Sequence, residues 1–253
     1  MTESEPTTTV SAAATGRAAS TVRSAREPRC AADTEGDAGG LRAPGPRERC
    51  FDAAVLAYVA RSPQATVVAL GEGLGTGFWR LDNGRLTWLT VQPPATAAMR
   101  RMLLPDGPRR RTVPCAVTDH RWLDAVPQPD RGVVVVAPGV LTRMPPPAAR
   151  ALFAACAERF PGGALVFDAL PRRVTALARW CAGLSDGRWP ASRWGLDRAD
   201  LPRVASAHPG IAAVRELPFF RGLSAGPERR RPTRLPGVRA VAPLVVEVRF
   251  AAR

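Results

Sequence analysis

A glycine-rich segment is the part of this sequence best suited to binding a ligand. Gly71, Gly73 and Gly75 alternate with larger residues directly after the apolar run ATVVAL (65–70). Glycine lets the backbone approach a ligand closely and adopt positive φ, so this spacing indicates a ligand-binding turn at the end of a strand. A tight turn without a ligand is the alternative. No G-K-[ST] follows, so the segment is not a phosphate-binding P-loop.

Few side chains are suited to acid–base or metal chemistry at neutral pH. The two histidines are His120 and His208, and we expect both to be structural or exposed rather than catalytic. The five cysteines form no C-x-x-C pair and no cluster with histidine, which predicts no metal site. They are Cys30, Cys50, Cys115, Cys156 and Cys181. Of these, Cys115 and Cys156 are expected to be small core residues.

Tryptophans and runs of charge provide further candidates, each with a plainer alternative. Trp189 and Trp194 lie in a loop over 183–197, where they would line a pocket for a planar ligand or simply pack the loop. The arginine runs 109–111 and 229–231 are expected to be solvated, although an anionic ligand or nucleic acid would suit them. Asp168, at the end of a predicted strand, is expected to cap a turn.

The composition is that of a globular chain with a strong positive charge. Of 253 residues, 45% are hydrophobic and 23% charged, which fits one large folded domain. The net charge of +14 comes from 36 basic residues that are all arginine, a bias typical of a GC-rich coding sequence. The charge alone therefore does not assign a nucleic-acid partner. No apolar run reaches the ~18 residues of a membrane span, and no secretory signal is visible, so we expect a cytoplasmic protein.

The hydrophobic pattern predicts a disordered tail over 1–45 and a folded domain over 46–253. Helices are predicted from Phe51 to about 61, after Pro93, after Pro147 and over 171–182. The second of these is predicted to bury an apolar face of Ala98, Met99, Met102 and Leu103, and the third one of Leu152, Phe153, Cys156 and Phe160. Strands are predicted at 65–70, 85–91, 111–117, 132–137, 164–169, 211–220 and 244–250.

This alternation of strands and helices predicts a doubly wound, mostly parallel α/β sheet. The last two strands have no convincing helix between them, so we expect them to pair antiparallel at one edge. In such a sheet, ligands bind beyond the carboxyl ends of the strands at the switch point of the strand order. The glycine segment follows the first strand and is therefore expected to lie at that point.

Several motifs between Arg47 and Ala169 occur in the order and spacing of one enzyme family. They are VVALGEGLGTGFWRLDNG, WLTVQPP, RRMLLP, AVTDHRWLD, VVVVAPGVL and FPGGALVFDAL, with a weaker match in RWGLD (193–197). Together they resemble the class I S-adenosylmethionine-dependent methyltransferases of the leucine carboxyl methyltransferase group, which includes polyketide O-methyltransferases of actinobacterial type. The resemblance implies a seven-stranded Rossmann-like sheet and S-adenosylmethionine as the cofactor.

The resemblance also implies roles for matching residues. Gly71 and Gly73 would pass beside the methionine part of the cofactor, and Arg49 would lie near its carboxylate. Asp119 would accept a hydrogen bond from the adenine amino group, since a carboxylate is an acceptor only. Gln92 stands where the family has an acidic residue for the ribose. The full predicted cofactor-binding set is Arg49, Gly71, Glu72, Gly73, Gln92, Asp119, Ala137 and Pro138, and no catalytic residue is assigned.

The sequence departs from the family motifs at several of these positions. The family pattern is close to G-x-G-x-D-T-R, whereas Gly75 and Gly77 replace its Asp and Arg. Pro138 replaces a Glu or Gln and supplies neither a polar side chain nor a backbone N–H. These replacements are expected to weaken binding of the cofactor.

We predict a methyltransferase that modifies oxygen on a small molecule of polyketide or carboxylate type. The alternative is a non-catalytic protein of the same fold that binds a ligand or partner. A third candidate, a basic nucleic-acid-binding module, would show steep salt dependence without sequence preference. We expect neither a membrane nor a specific nucleic acid as a partner, and the sequence leaves the oligomeric state open.

Overall fold

The computed structural model describes residues 45–184, 194–218 and 240–252. Several sequence predictions lie outside these residues. They concern the tail before residue 45, Cys30, the side chain of Cys181, Trp189, the end of the strand predicted to reach residue 220, and the arginine run 229–231.

Within the described residues, strands and helices alternate as the hydrophobic pattern predicts. The strands are β1 Thr66–Leu70, β2 Thr87–Gln92, β3 Arg110–Pro114, β4 Val133–Ala137, β5 Ala164–Ala169, β6 Ile211–Leu217 and β7 Leu244–Phe250. The helices are α1 Pro46–Val59, α2 Gly77–Leu81, α3 Pro94–Leu103, α4 Pro146–Arg159, α5 Arg172–Leu184 and α6 Leu201–Ala205. None of these helices is both long and apolar enough to cross a bilayer.

The strands form one seven-stranded sheet in the order β3-β2-β1-β4-β5-β7-β6. The first five strands are parallel, and β7 runs antiparallel to both β5 and β6. The predicted fold class and the antiparallel edge are therefore confirmed. Because the chain turns from β3 back across β1 to β4, the strand order switches beside the carboxyl end of β1.

The sheet is covered on both faces, so its central strands are apolar throughout. Val67 and Ala69 of β1 enter a core with α1 and α2, whereas Val68 and Leu70 enter a core with α4. Strands buried on both faces carry continuous apolar runs, as β1 and β4 do. The predicted apolar stripe of α4 is confirmed, since its members are at most 2% exposed: Leu152, Phe153, Cys156 and Phe160.

The rotation of α3 differs from the sequence prediction. Met99, Met102 and Leu103, predicted to be buried, are 47%, 84% and 61% exposed. The buried side of this helix holds Ala97 and Arg100 instead. Polar contacts of Arg100 with the glycine segment fix the helix in this orientation. The pattern also did not predict α2 and α6, because five residues are too few to show a helical period.

We expect Leu152→Ala to destabilise the fold by about 2–5 kcal/mol, because it leaves a cavity in a closed core. Leu56→Ala should change stability by less than about 0.5 kcal/mol, because a substitution at an exposed side chain removes little packing. Leu56 lies on α1 and is 52% exposed. Urea unfolding measures the stability of both variants. Equal losses of stability would contradict the orientations of α1 and α4.

Candidate functional site

The glycine segment forms a tight loop at the carboxyl end of β1. Gly71 and Gly73 have φ of 64° and 63°, in the left-handed region that favours glycine. A Cβ on Gly71 would lie 2.8 Å from Cγ2 of Val140, so this position admits no side chain. A Cβ on Gly73 would have no neighbour within 4 Å. The Cα of Gly73 therefore faces open space, which leaves room for a ligand to approach the loop there.

The carboxylate of Glu72 turns inward and ties this loop to the sheet. Its Oε1 accepts from the Gly77 N–H at 3.0 Å. Its Oε2 accepts from the Trp88 indole and the Thr90 hydroxyl, each at 3.1 Å. Glu72 was predicted to contact a cofactor, but its side chain is only 11% exposed and is occupied by the protein itself. Its role is therefore to hold the loop.

Arg100 completes this arrangement from α3. Its Nη2 lies 3.3 Å from Oε2 of Glu72, and its side chain is 4% exposed. Its Nη1 donates to the carbonyls of Gly73 and Gly75, at 2.7 and 2.9 Å. Burial lowers the pKa of Arg100 and the Glu72 carboxylate opposes that shift. Sequence reasoning missed this residue, because the methionines of α3 predicted that a different side of the helix is buried.

The packing of Glu72 explains why glycine stands at positions 75 and 77, where the family motif has an Asp and an Arg. A Cβ on Gly75 would lie 2.6 Å from Cγ of Glu72. A Cβ on Gly77 would lie 2.7 Å from the Trp88 ring and 2.9 Å from Oε1 of Glu72. Because Glu72 fills the space beside both positions, neither an Asp nor an Arg fits there. The chain carries one acid and one arginine at the loop, but from positions 72 and 100.

Gln92, at the end of β2, forms hydrogen bonds with the glycine loop. With its amide oxygen towards the loop, it accepts from the Glu72 N–H at 2.8 Å and from the Gly73 N–H. Its side chain is 2% exposed. The amide oxygen of Gln92 thus binds within the protein, and its contact with a ribose stays a prediction.

A cavity of about 250 Å³ lies between α1, α2 and the glycine loop. Its wall includes Arg47 on α1, Gly71 on the loop and Pro138 after β4. Arg49, predicted to lie near a ligand carboxylate, is exposed and does not line the cavity. Residues two apart on a helix point in nearly opposite directions, so only one of the two arginines faces inward. The structure places Arg47 there, two residues before the predicted position.

Asp168 anchors Arg47 at this cavity. Its Oδ1 accepts from the Gly139 N–H at 2.5 Å, and its Oδ2 lies 2.8 Å from Nη2 of Arg47. The expected role of Asp168 as a structural residue of a turn is consistent with these contacts. Of the other two predicted contacts, Ala137 is fully buried in β4, while Pro138 is half-buried at the cavity.

Asp119 lies at the same edge of the sheet as Gln92. The Cys115 N–H donates to the Gln92 carbonyl at 2.8 Å, and the Cys115 thiol donates to the Asp119 carbonyl at 3.1 Å. Asp119 accepts from the backbone N–H of Arg121 and is paired with its guanidinium, which lowers the pKa of the carboxyl to about 2. The carboxylate is therefore charged at neutral pH, is 33% exposed and already accepts from Arg121 through both oxygens.

The remaining candidates lie away from this cavity. Nε2 of His208 is 3.3 Å from Glu158 and its Nδ1 accepts from the Gly210 N–H at 3.0 Å, which is a structural role. His120 begins a short 3₁₀ helix and does not line the cavity. The ring of Trp194 packs 5.8 Å from that of Phe167. Cys115 and Cys156 are buried, as predicted, and so is Cys50.

Solved structures of methyltransferases share this fold. An O-methyltransferase family protein from Burkholderia thailandensis aligns with a TM-score of 0.51 and 18% identity, over 81% of this chain and 56% of its own. Human N-acetylserotonin methyltransferase, solved in complex with S-adenosylmethionine, aligns with a TM-score of 0.51 and 11% identity, over 79% of this chain and 52% of its own. This chain thus spans about half the length of each.

No protein-family model matches the sequence, and none of the curated proteins is similar enough to match. At these identities the structural likeness establishes the fold alone. The chain therefore has the seven-stranded Rossmann-like methyltransferase fold.

Removal of the Arg100 guanidinium should destabilise the protein strongly. Arg100→Met leaves a buried carboxylate and two loop carbonyls without their partner, which costs about 3–5 kcal/mol for a buried pair. Arg101→Met is the matched control, because Arg101 is on the same helix but 46% exposed. Its exposed ion pair with Asp106 and its hydrogen bond to the Thr112 carbonyl should together contribute about 1–2 kcal/mol, less than Arg100 does. If urea unfolding showed that both variants lose the same free energy of unfolding, the role assigned to Arg100 would be contradicted.

Proposed function

We propose that this protein binds S-adenosylmethionine at the carboxyl edge of the sheet and transfers its methyl group to oxygen on a small molecule. The observation that carries the proposal is the glycine loop. It stands at the switch point of a methyltransferase-type sheet, and buried side chains hold it in a form that leaves Gly73 open. The sequence motifs of the methyltransferase family support the same proposal.

The residues around the loop fit three parts of this cofactor. Gly71 and Gly73 permit close approach of the methionine portion. Arg47 offers a guanidinium for its carboxylate, in competition with Asp168. Asp119 offers an ionised acceptor for the adenine amino group. Small-molecule pockets are typically ~300–1,000 Å³, so the cavity of about 250 Å³ would take only part of the cofactor.

The ribose is the part of the cofactor for which this chain offers the fewest polar partners. Gln92 is buried and its amide oxygen already accepts from two loop N–H groups. Pro138 adds no polar side chain at the end of β4. This observation favours the alternative, a non-catalytic protein that keeps the fold and binds a ligand weakly. Titration with the cofactor's demethylated product decides between the two.

S-adenosylmethionine supplies a methyl group on a positively charged sulfonium, which an oxygen nucleophile can take directly. The chain's own task is then to position two reactants and exclude water. Neither histidine lines the cavity. An acceptor that is already ionised needs no general base, so we propose a carboxylate as the methylated group.

Titration of the full chain with S-adenosylhomocysteine tests the proposal by calorimetry. We expect saturable binding with one site per chain. Arg47→Met should weaken it at least tenfold, because loss of a charge-assisted hydrogen bond costs about 1.5–3 kcal/mol. Arg49→Met should leave the affinity within about twofold, since a surface side chain away from the cavity contributes little.

Two results would overturn the proposal in different ways. Absence of binding heat with both S-adenosylhomocysteine and S-adenosylmethionine would contradict the proposal and favour the non-catalytic alternative. A loss of affinity in Arg49→Met with none in Arg47→Met would restore the position that the family resemblance implies.

A further inference from the structure

A second cavity, on the opposite face of the sheet, is lined by arginines. It has a volume of about 390 Å³ and lies between α4 and α5. Arg150 lines it from α4, and Arg172 and Arg179 line it from α5. It shares no lining residue with the cavity at the glycine loop. We call it the arginine cavity.

The positive charge of the arginine cavity is only partly neutralised. Asp200 lies 3.0 Å from a guanidinium nitrogen of Arg172 and also 3.0 Å from one of Arg203. Among the described residues, no carboxylate pairs with the guanidinium of Arg150 or Arg179. Two guanidiniums on facing helices therefore remain available to an anion.

Apolar residues form part of the wall of the arginine cavity. Pro146, the first residue of α4, lines the cavity, but residues 145–147 are all proline and offer no backbone N–H to an anion. At the start of α5, Asp197 already accepts from the Arg172 N–H at 3.0 Å. Trp194 and Pro146 supply apolar wall, and a neighbouring cavity of about 170 Å³ shares both residues. Room thus exists for a group larger than the anion itself.

We propose that the arginine cavity binds the diphosphate group of a small molecule. Each guanidinium presents parallel N–H donors that match two oxygens of one phosphate. Arg150 from α4 and Arg179 from α5 provide one such fork for each of two phosphates, and Arg172 adds a third positive charge. The volume lies within the ~300–1,000 Å³ of small-molecule sites. The proposal stands independently of methyl transfer, because it uses none of the residues of the first cavity.

Calorimetric titration with inorganic pyrophosphate tests this site. It is carried out at physiological salt, where the Debye length of about 8 Å screens the general charge of the surface. We expect saturable binding of one pyrophosphate per chain. The double variant Arg150→Gln/Arg179→Gln should weaken it at least tenfold, because two charge-assisted forks are lost. Both residues are exposed, so the fold should be retained.

The matched control is Arg85→Gln/Arg131→Gln, which removes the same charge from exposed positions near the starts of β2 and β4. It should leave pyrophosphate affinity within about twofold, as expected for surface positions away from the cavity. Equal weakening in both double variants would overturn the proposal, because it would show general attraction to a chain of net charge +14. Absence of saturable binding would overturn it as well.

Two further arms separate this site from other functions. A single-stranded oligonucleotide that bound more tightly than pyrophosphate, and lost affinity in the Arg150/Arg179 variant, would identify a nucleic-acid surface instead. Binding of S-adenosylhomocysteine should be unchanged in that variant. If binding fails at one of the two cavities, the titration at the other still tests that site independently.

Discussion

The buried ion pair between Glu72 and Arg100 is the contact on which the candidate site depends. Burying two charges is expensive unless hydrogen bonds satisfy their remaining atoms. Here the Glu72 carboxylate also accepts from a backbone N–H, an indole and a hydroxyl, while Arg100 also donates to two loop carbonyls. Strands β1 and β2, the glycine loop and α3 are thereby joined through one pair of side chains.

This pair also accounts for features that are otherwise at odds with the family motifs. An arginine facing inward fixes the rotation of α3 and leaves Met102 and Leu103 in solvent. Glu72 occupies the space beside Gly75 and Gly77, and the Trp88 ring also lies beside Gly77, so glycine at both positions is a packing requirement. The loop therefore has an acid and an arginine beside it, at positions 72 and 100 rather than at positions 75 and 77.

The sheet could be predicted well from the sequence because its signals are local. A valine-rich run such as Val133–Val136 predicts a central strand, because such strands are buried on both faces. Positive φ at Gly71 and Gly73 also followed from residue type. The roles of Arg100, Arg47 and Gln92 depend on which side chains meet across the fold. Spacing along the chain does not contain that information, so it could not show that Arg47 rather than Arg49 lines the cavity, or that Gln92 contacts the loop.

A crystal structure of the protein with S-adenosylhomocysteine tests the central claim most directly. We expect the ligand across Gly73, with its carboxylate near Arg47, its purine towards Asp119, and the Glu72–Arg100 pair unchanged. A ligand bound elsewhere, or a loop that must break this ion pair to admit it, would contradict the claim that the buried pair holds the site open.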